Sequence, residues 1–414
     1  MLDIQYIREN PELVAEKSKQ KGYDVDIEQL LGIDSRRREL LTEVEDIRKQ
    51  RNVIADSMKG GKPSVEQIAK GKLLKDQLAA LEPQFNTIDV EFMAALNSIP
   101  NITADDVPVG GEDASIEIKK YGDQKTDARD HLDIATEKGW VDFERGTKVA
   151  GTKFYFLKGD LALLENAITQ FALDFIIKKD FTFMTVPHMV NARTASGTGF
   201  APRTSDQSDE YFIEGEDLSL IATAEMSLTG YHADEILNES DLPLLYAGLS
   251  PCYRKEAGTY GKHNRGLFRV HQFNKLEMYA FSLPENSAQM HEQILKIEEE
   301  VWQAIGIPYH VINIASGDLG APAFKKYDIE YWSPVDQMYR ELTSCSNCTD
   351  YQARNLNIRV RRANCDIATV HTLNGTVVSL ARSLVAIIEN YQTADGDVII
   401  PEVLRAYMGG KEKI

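Results

Sequence analysis

Apolar residues recur at alternating steps of four and three in two long stretches near the start of the chain. Leu40, Val44, Ile47, Ile54 and Met58 follow that spacing in the first, with Arg51 in its polar slot, and Leu74, Leu78, Leu81, Phe85, Ile88 and Phe92 follow it in the second. A narrow stripe of this period predicts two long helices that bury one seam against each other. Between them, KGGKPS supplies Gly60, Gly61 and Pro63, which can reverse the chain, so an antiparallel helical hairpin (a coiled-coil arm) is expected between about residues 28 and 99. Limbs of roughly 25–30 residues at ~1.5 Å each make an arm on the order of 40 Å long, thin enough that it should project. The same heptads also suit two helices of a compact bundle. Pro83 should kink the second limb or end it early, because an interior proline costs about 3 kcal/mol.

The run PNITADDVPVGGEDAS after Ile99 is rich in Pro, Gly and Asp and reads as a linker. The expected division is therefore an N-terminal domain over 1–100, a linker over 101–115 and a second domain over 116–414. In the latter, short alternating runs mix with helical ones without a regular strand–helix cadence, which predicts an α+β fold with a largely antiparallel sheet flanked by helices. Leu161 to Lys179 reads as a helix that is apolar around much of its circumference, the mark of burial in a core or a subunit interface, followed by a strand ending at Pro187.

Charge changes this picture locally. With 64 Asp+Glu against 46 Lys+Arg among 414 residues the formal net charge is -18, which argues against diffuse binding to nucleic acid and gives no reason to expect DNA as a partner. From Arg36 to Ala80, however, eleven basic residues face seven acidic ones. A positive rod on an acidic chain is a candidate nucleic-acid surface, although mixed charge also suits any solvated helix face. The start, MLDIQYIREN, has no signal-peptide pattern, and no apolar run approaches the ~18 residues of a membrane span, so a cytoplasmic protein without membrane contact is expected. Four cysteines in so long a chain agree with a reducing compartment.

The densest chemistry lies in CYRKEAGTYGKHNRGLFRVHQFNKLEMYAF, Cys252 to Phe281. Glycine lets main chain approach phosphate, and arginine clasps it with paired donors. If the flanks are strands, Arg254 and Glu256 share one face, and Arg269, Phe273 and Glu277, separated by fours, share another. Such a pair of strands suits a nucleotide with an amino acid: arginines for phosphates, a ring for the base, one carboxylate for an exocyclic amine and another for an ammonium or hydroxyl. Spacing alone equally fits an amphipathic hairpin with ion pairs on its wet side.

RKEAGTYGKHNRGLFRVHQFNKLE resembles motif 2 of the class II aminoacyl-tRNA synthetases in its seryl form. TAE at Thr223 to Glu225 is similar to that family's amino-acid strand, and the closing ENYQ…VIIPEVLRAYM is similar to motif 3. MLDIQYIRENPELV, GWVDFERGTKVAGTKFYFLKGDLALLE, ELTSCSNCTDYQARNLNIRVR and TLNGT fall in the family's order, so the resemblance covers nearly the whole chain. It implies a class II synthetase core that activates L-serine with ATP and magnesium and passes it to serine tRNA, with selenocysteine tRNA a further candidate. It also implies a homodimer joined through motif 1, the apolar helix and strand described above. By the same resemblance Arg254 bridges the serine carboxylate and the α-phosphate, Glu256 accepts from the adenine amine, Arg269 reaches the outer phosphates, and Phe273 and Arg382 sandwich the base. Arg254, Arg269 and Arg382 are then the catalytic cations. Glu341 and Ser344 in ELTS resemble the magnesium ligands, and because strand parity would put them on opposite faces, a bulge or turn is needed between them. Serine itself is expected among Thr223, Glu225, Arg254, Glu277, Asn374 and Thr376.

Three positions depart from the commonest family pattern: Thr376 stands where serine is frequent, keeping the hydroxyl, Ala381 stands where glycine is frequent, adding a methyl near the adenine site, and Lys255 is the third. Lys255, between Arg254 and Glu256, should point away and matter little. Cys345 and Cys348, with Cys365 and His371 downstream, lack the second close pair of a zinc site, so no zinc is expected. His263 and His271 are not needed as acid or base catalysts and read as contacts to tRNA or phosphate, or as exposed residues. Two rival functions remain at this level. A related enzyme that passes its amino acid to a carrier protein would lack the long arm, and a binding-only paralogue would have lost arginines or carboxylates that are all present here.

Overall fold

The structure, a computed structural model, describes residues 1–58, 64–199, 209–256 and 266–414. The chain forms two units. One comprises Leu2–Lys19 with Tyr23–Pro100; the other comprises Met1, Gln20–Gly22 and Asn101–Ile414.

The first unit is dominated by α1 (Ile27–Ser57) and α2 (Val65–Asn97). Asp26 caps α1 by accepting from the Gln29 N–H, and Ser64 and Gln67 form a reciprocal capping box on α2. The two run antiparallel: Arg37 pairs with Asp89 at 2.6 Å, Arg48 with Glu82 at 2.9 Å, and Gln67 bonds Ser57 at 3.0 Å. Of the anticipated seam, Val44, Leu74, Leu78, Ile88 and Phe92 are buried, while Leu40, Ile47, Ile54, Met58, Leu81 and Phe85 are only half-buried. The turn residues Gly60, Gly61 and Pro63 lie outside the described residues. Pro83 does not end α2, one of the two outcomes expected of it; the helix continues through it to Asn97. The Gln84 side chain donates to the Ala80 carbonyl at 3.0 Å beside the lost backbone bond. The seam also holds the helix, with the Arg37 guanidinium 4.6 Å from the Phe92 ring centroid.

The second unit is built on an eight-stranded sheet whose strands are here numbered along the chain: β1 (Ile116–Tyr121), β2 (Thr182–Thr185), β3 (Leu244–Tyr253), β4 (Gln272–Ser282), β5 (Tyr309–Asn313), β6 (Lys325–Ser333), β7 (Met338–Asn347) and β8 (His371–Ser379). Their order across the sheet is β1-β5-β6-β7-β8-β4-β3-β2, and every pairing is antiparallel except β2 with β3. One face packs on three helices, α3 (Gly159–Ile177), α4 (Ser287–Ile305) and α5 (Leu380–Tyr391). Their Ile168, Trp302 and Leu384 join Leu276, Met278 and Ala280 of β4 in the main core. Tyr279 and Phe281 point to the other face, against the short helix Ala224–Gly230. By the same alternation Phe273, Lys275 and Glu277 belong to that second face.

Candidate active site

β3 and β4 pair from Leu244 opposite Phe281 to Tyr253 opposite Gln272. Phe273 and Glu277 therefore share a strand face as anticipated. Arg254, Glu256 and Arg269 do not lie on the strands: β3 stops at Tyr253, Glu256 has a positive φ of 49°, and Arg269 sits in the turn before β4. Side-chain and backbone bonds bring them together instead. The Arg254 N–H donates to the His271 carbonyl at 3.0 Å, and His271 Nδ1 donates back to the Arg254 carbonyl at 2.9 Å. His271 is thus half-buried and holds the Arg254 backbone from both sides. The Arg254 guanidinium lies 5.3 Å from the Phe273 ring centroid and Nε donates to the Ala222 carbonyl at 3.4 Å, beside Thr223. Arg269 Nη1 donates to Glu256 Oε2 at 3.0 Å. Lys255 turns elsewhere, its ammonium 5.4 Å from the Phe212 ring centroid. His263 lies outside the described residues.

The turn that carries Phe268 and Arg269 is fixed from below by a group the sequence did not single out. Gly266 has φ +66°, and a Cβ there would stand 2.4 Å from His131 Nε2. That nitrogen accepts the Leu267 N–H at 3.3 Å, so the proton is on Nδ1, which donates to Glu389 Oε1 at 3.0 Å.

Arg254, Glu256, Phe268, Phe273, Ala381 and Arg382 line one cleft. Arg382 reaches it from the first turn of α5; its guanidinium is 5.0 Å from the Phe268 ring centroid, and Nη1 is 2.9 Å from Glu341 Oε1. Phe273 and Arg382, named as the two slices of a base sandwich, both line this cleft. The ring stacked on Arg382 itself is Phe268, which went unnoticed for want of a spacing rule in the turn. The Ala381 methyl faces the same space.

A bulge separates Glu341 from Ser344. Across β6 and β7, Glu341 stands opposite Glu330, Thr343 opposite Ile329 and Ser344 opposite Asp328, leaving Leu342 as the extra residue. Two residues on β7 thus turn toward the helix-covered face, and Glu341 and Ser344 emerge on the same side. Asp328 is buried beside them, with Oδ2 3.4 Å from Lys326 Nζ and Oδ1 without a hydrogen-bond partner. Burial works against charge on Glu341, but Arg382, Lys326 and Arg254 hold its carboxyl down at about 2. Burial pushes Asp328 up to about 7 despite Lys326. One ionised carboxylate, a serine hydroxyl and an orphaned carboxylate oxygen make an all-oxygen set of the kind that suits a hard divalent cation such as magnesium.

Beyond Arg254 the pocket becomes acidic. Thr223 caps the helix Ala224–Gly230, and its hydroxyl donates to Glu277 Oε2 at 3.2 Å. Thr376 of β8 stands directly opposite Glu277. Lys275, two residues before Glu277 on the same face, forms a buried ion pair with it, a partner that strand parity would have revealed. Glu225 Oε1 accepts from Gln352 Nε2 at 2.7 Å, and Asn374 also bonds its carboxyl. Gln352 in turn accepts from Tyr279 and Thr372. Nothing in the sequence pointed to this glutamine. Burial, then the nearby Glu277, raises the Glu225 carboxyl to about 7.

Cys345 and Cys348 are buried thiols held protonated by burial, Cys365 is exposed, and His371 bonds the Ser287 hydroxyl at 2.8 Å. Among the described residues no group of three or more His, Cys, Asp or Glu side chains converges as metal ligands would. No helix among them is long and apolar enough to cross a membrane.

Comparison with known proteins agrees over the whole length. Residues 1–103 match the seryl-tRNA synthetase N-terminal domain, and residues 210–391 match the tRNA synthetase class II core domain (G, H, P, S and T). The chain is 44% identical to the Serine--tRNA ligase of Dictyoglomus turgidum over 100% of its own length and 99% of the relative's. It is 45% identical to that of Dictyoglomus thermophilum with the same coverage. Among solved structures it is similar to the seryl-tRNA synthetase from Pyrococcus horikoshii complexed with ATP, with a TM-score of 0.90, 40% identity and coverage of 100% of this chain and 99% of that one.

Proposed function

The chain belongs to the seryl-tRNA synthetase family, and we therefore propose that it is a serine–tRNA ligase that activates L-serine with ATP and transfers it to the 3′ end of serine tRNA. The observation that carries this reading is the meeting, on one sheet face, of a guanidinium-lined cleft and an acidic pocket, with Arg254 next to both.

Serine carboxylate must attack the α-phosphorus of ATP, anion on anion, and pyrophosphate must leave in line. Arg254 lies where it can neutralise both reactants, Arg269 takes the outer phosphates, and Glu256 accepts from the adenine amine between Phe273 and Arg382. No protein general base is needed, because the nucleophile is already ionised. The tRNA ribose hydroxyl then attacks the carbonyl of the mixed anhydride and AMP leaves. Glu341 and Ser344, with Asp328 behind them, would hold magnesium, which supplies positive charge beside the phosphates.

The pocket's charge supports the serine assignment. Glu277 is paired with Lys275, so Glu225 is left to meet the ammonium, while Glu277 and Thr376 take the hydroxyl. Alanine would leave these polar groups unpaired, a discrimination that can reach about 10⁴. The test is ATP–pyrophosphate exchange with serine, threonine, alanine and glycine side by side; exchange without a preference for serine would refute the proposal. The same assay reads Glu225. Its raised carboxyl is half protonated near pH 7, whereas binding an ammonium needs it ionised. The serine KM should therefore fall about tenfold between pH 6 and pH 8, since each unit below the carboxyl's midpoint costs up to tenfold. Glu225→Gln should raise KM and flatten that slope, and an unchanged slope in the variant would transfer the titration to another group.

A homodimer is the further expectation. β2 is an edge strand, and Phe183 on it is exposed, as are Leu163 and Ile177 on α3, an apolar surface that favours burial against a second copy. Sedimentation should give a mass near twice 46.5 kDa at micromolar concentration; a monomer mass independent of concentration would exclude it. The thiols, all unpaired, suit a cytoplasmic setting.

A further inference from the structure

We propose that Glu298, buried in α4 beneath the sheet, is a positioning residue that holds apart β7 and β8 and so sets the nucleotide and amino-acid ends of the site relative to each other. The inference rests on the reading of the site given above.

β7 and β8 are paired only from Cys345 opposite Gly375 to Asn347 opposite Leu373. Toward the site the two strands part. At the fork Glu298 uses both carboxyl oxygens, Oε1 accepting the Thr376 N–H at 2.8 Å and Oε2 accepting the Thr343 hydroxyl at 2.8 Å. Each contact falls at a bulge. Thr343 adjoins Leu342, the extra residue that brings Glu341 and Ser344 to one side; Thr376 adjoins Val377, the extra residue between the partners of Glu277 and Leu276 on β4. One side chain thus ties down both irregularities that aim site residues.

The approach depends on Gly375, whose absent Cβ would lie 2.3 Å from Ile294 and 2.9 Å from Glu298 Oε1. Glu298 itself is fully buried, and burial raises its carboxyl well above the usual range. An acid kept there at that cost needs its two partners. A residue that merely filled the core would not need to address both strands.

The test compares Glu298→Gln, Glu298→Met and Thr343→Val by melting temperature and by the serine and ATP KM values in pyrophosphate exchange. Glutamine offers a carbonyl to the Thr376 N–H and an amide N–H that the Thr343 hydroxyl can accept by rotating, so both constants should stay within about twofold of wild type. Methionine offers neither and should raise both by about tenfold, the effect expected when reacting groups are misplaced. Thr343→Val should raise the ATP constant alone. A folded Glu298→Met protein with a lower melting temperature and unchanged constants, or a rise confined to one constant, would overturn the proposal; so would a glutamine variant as damaged as the methionine one. If Glu298→Met does not fold, Thr343→Val decides, and an unaltered ATP KM would then overturn it. A wild-type protein without serine-dependent exchange would sink the proposed function and this inference together. Normal exchange with silent variants would sink only the inference.

Discussion

Arg254→Ala is expected to lower kcat/KM for serine-dependent pyrophosphate exchange by at least about 10³-fold, because one preorganised charge donor at a developing anion is worth roughly 3–4 kcal/mol and this one faces two anions. The geometry explains why nothing nearby can substitute. The main chain of Arg254 is fixed by the two bonds to His271, and its guanidinium is flanked by the Phe273 ring and the Ala222 carbonyl, between the cleft and the acidic pocket. Arg269 stands beside Glu256 and Arg382 beside Glu341, so neither flanks the acidic pocket as Arg254 does. Arg254→Lys should recover little, since an ammonium cannot present two parallel donors to a carboxylate and a phosphate at once. Lys255→Ala, one residue away but set against Phe212, is the matched control and should stay within about twofold of wild type. If Arg254→Ala kept more than a tenth of the exchange rate while folded, the assignment of the reacting centre would be wrong.

Removing the tip of the helical hairpin should separate the two half-reactions. Beyond the Arg48–Glu82 pair, residues 49–81 carry seven Lys or Arg against three Asp or Glu, which is the arm's whole positive excess. Excising them and closing the limbs with a short turn leaves the Arg37–Asp89 and Arg48–Glu82 contacts in place. Pyrophosphate exchange should remain within about twofold of wild type, while kcat/KM for charging serine tRNA falls by about 10²-fold or more. Contacts to phosphate are salt-dependent, so the remaining charging of the shortened protein should respond less steeply to added salt than that of the full chain. Equal loss of exchange and charging would show that the arm is not devoted to tRNA.

Much of the site was legible because the relevant rules act over short distances along the chain. Phe273 and Glu277 share a strand face by simple alternation, and the need for an irregularity between Glu341 and Ser344 follows from the same rule. Alternation failed for Arg254, Glu256 and Arg269, since the strands end before reaching them and a clamp through His271 and a turn anchored on His131 do the positioning. Pro83 does not end its helix for a related reason. Its intrinsic penalty is real, but partner contacts along the seam offset it.

The sequence by itself determined the two paired helices, the antiparallel α+β core and the identities of the cations and carboxylates. Periodicity and residue chemistry are properties of neighbours in the chain. Only the folded chain decided which of those groups meet. Gln352 under Glu225, Phe268 on Arg382 and Glu298 at the strand fork come from segments far apart in the sequence, and their contacts follow from sheet order, bulge placement and helix packing. Burial acts at the same level: it raises Glu225, while three converging cations keep Glu341 ionised, and neither environment can be read from the residues on either side.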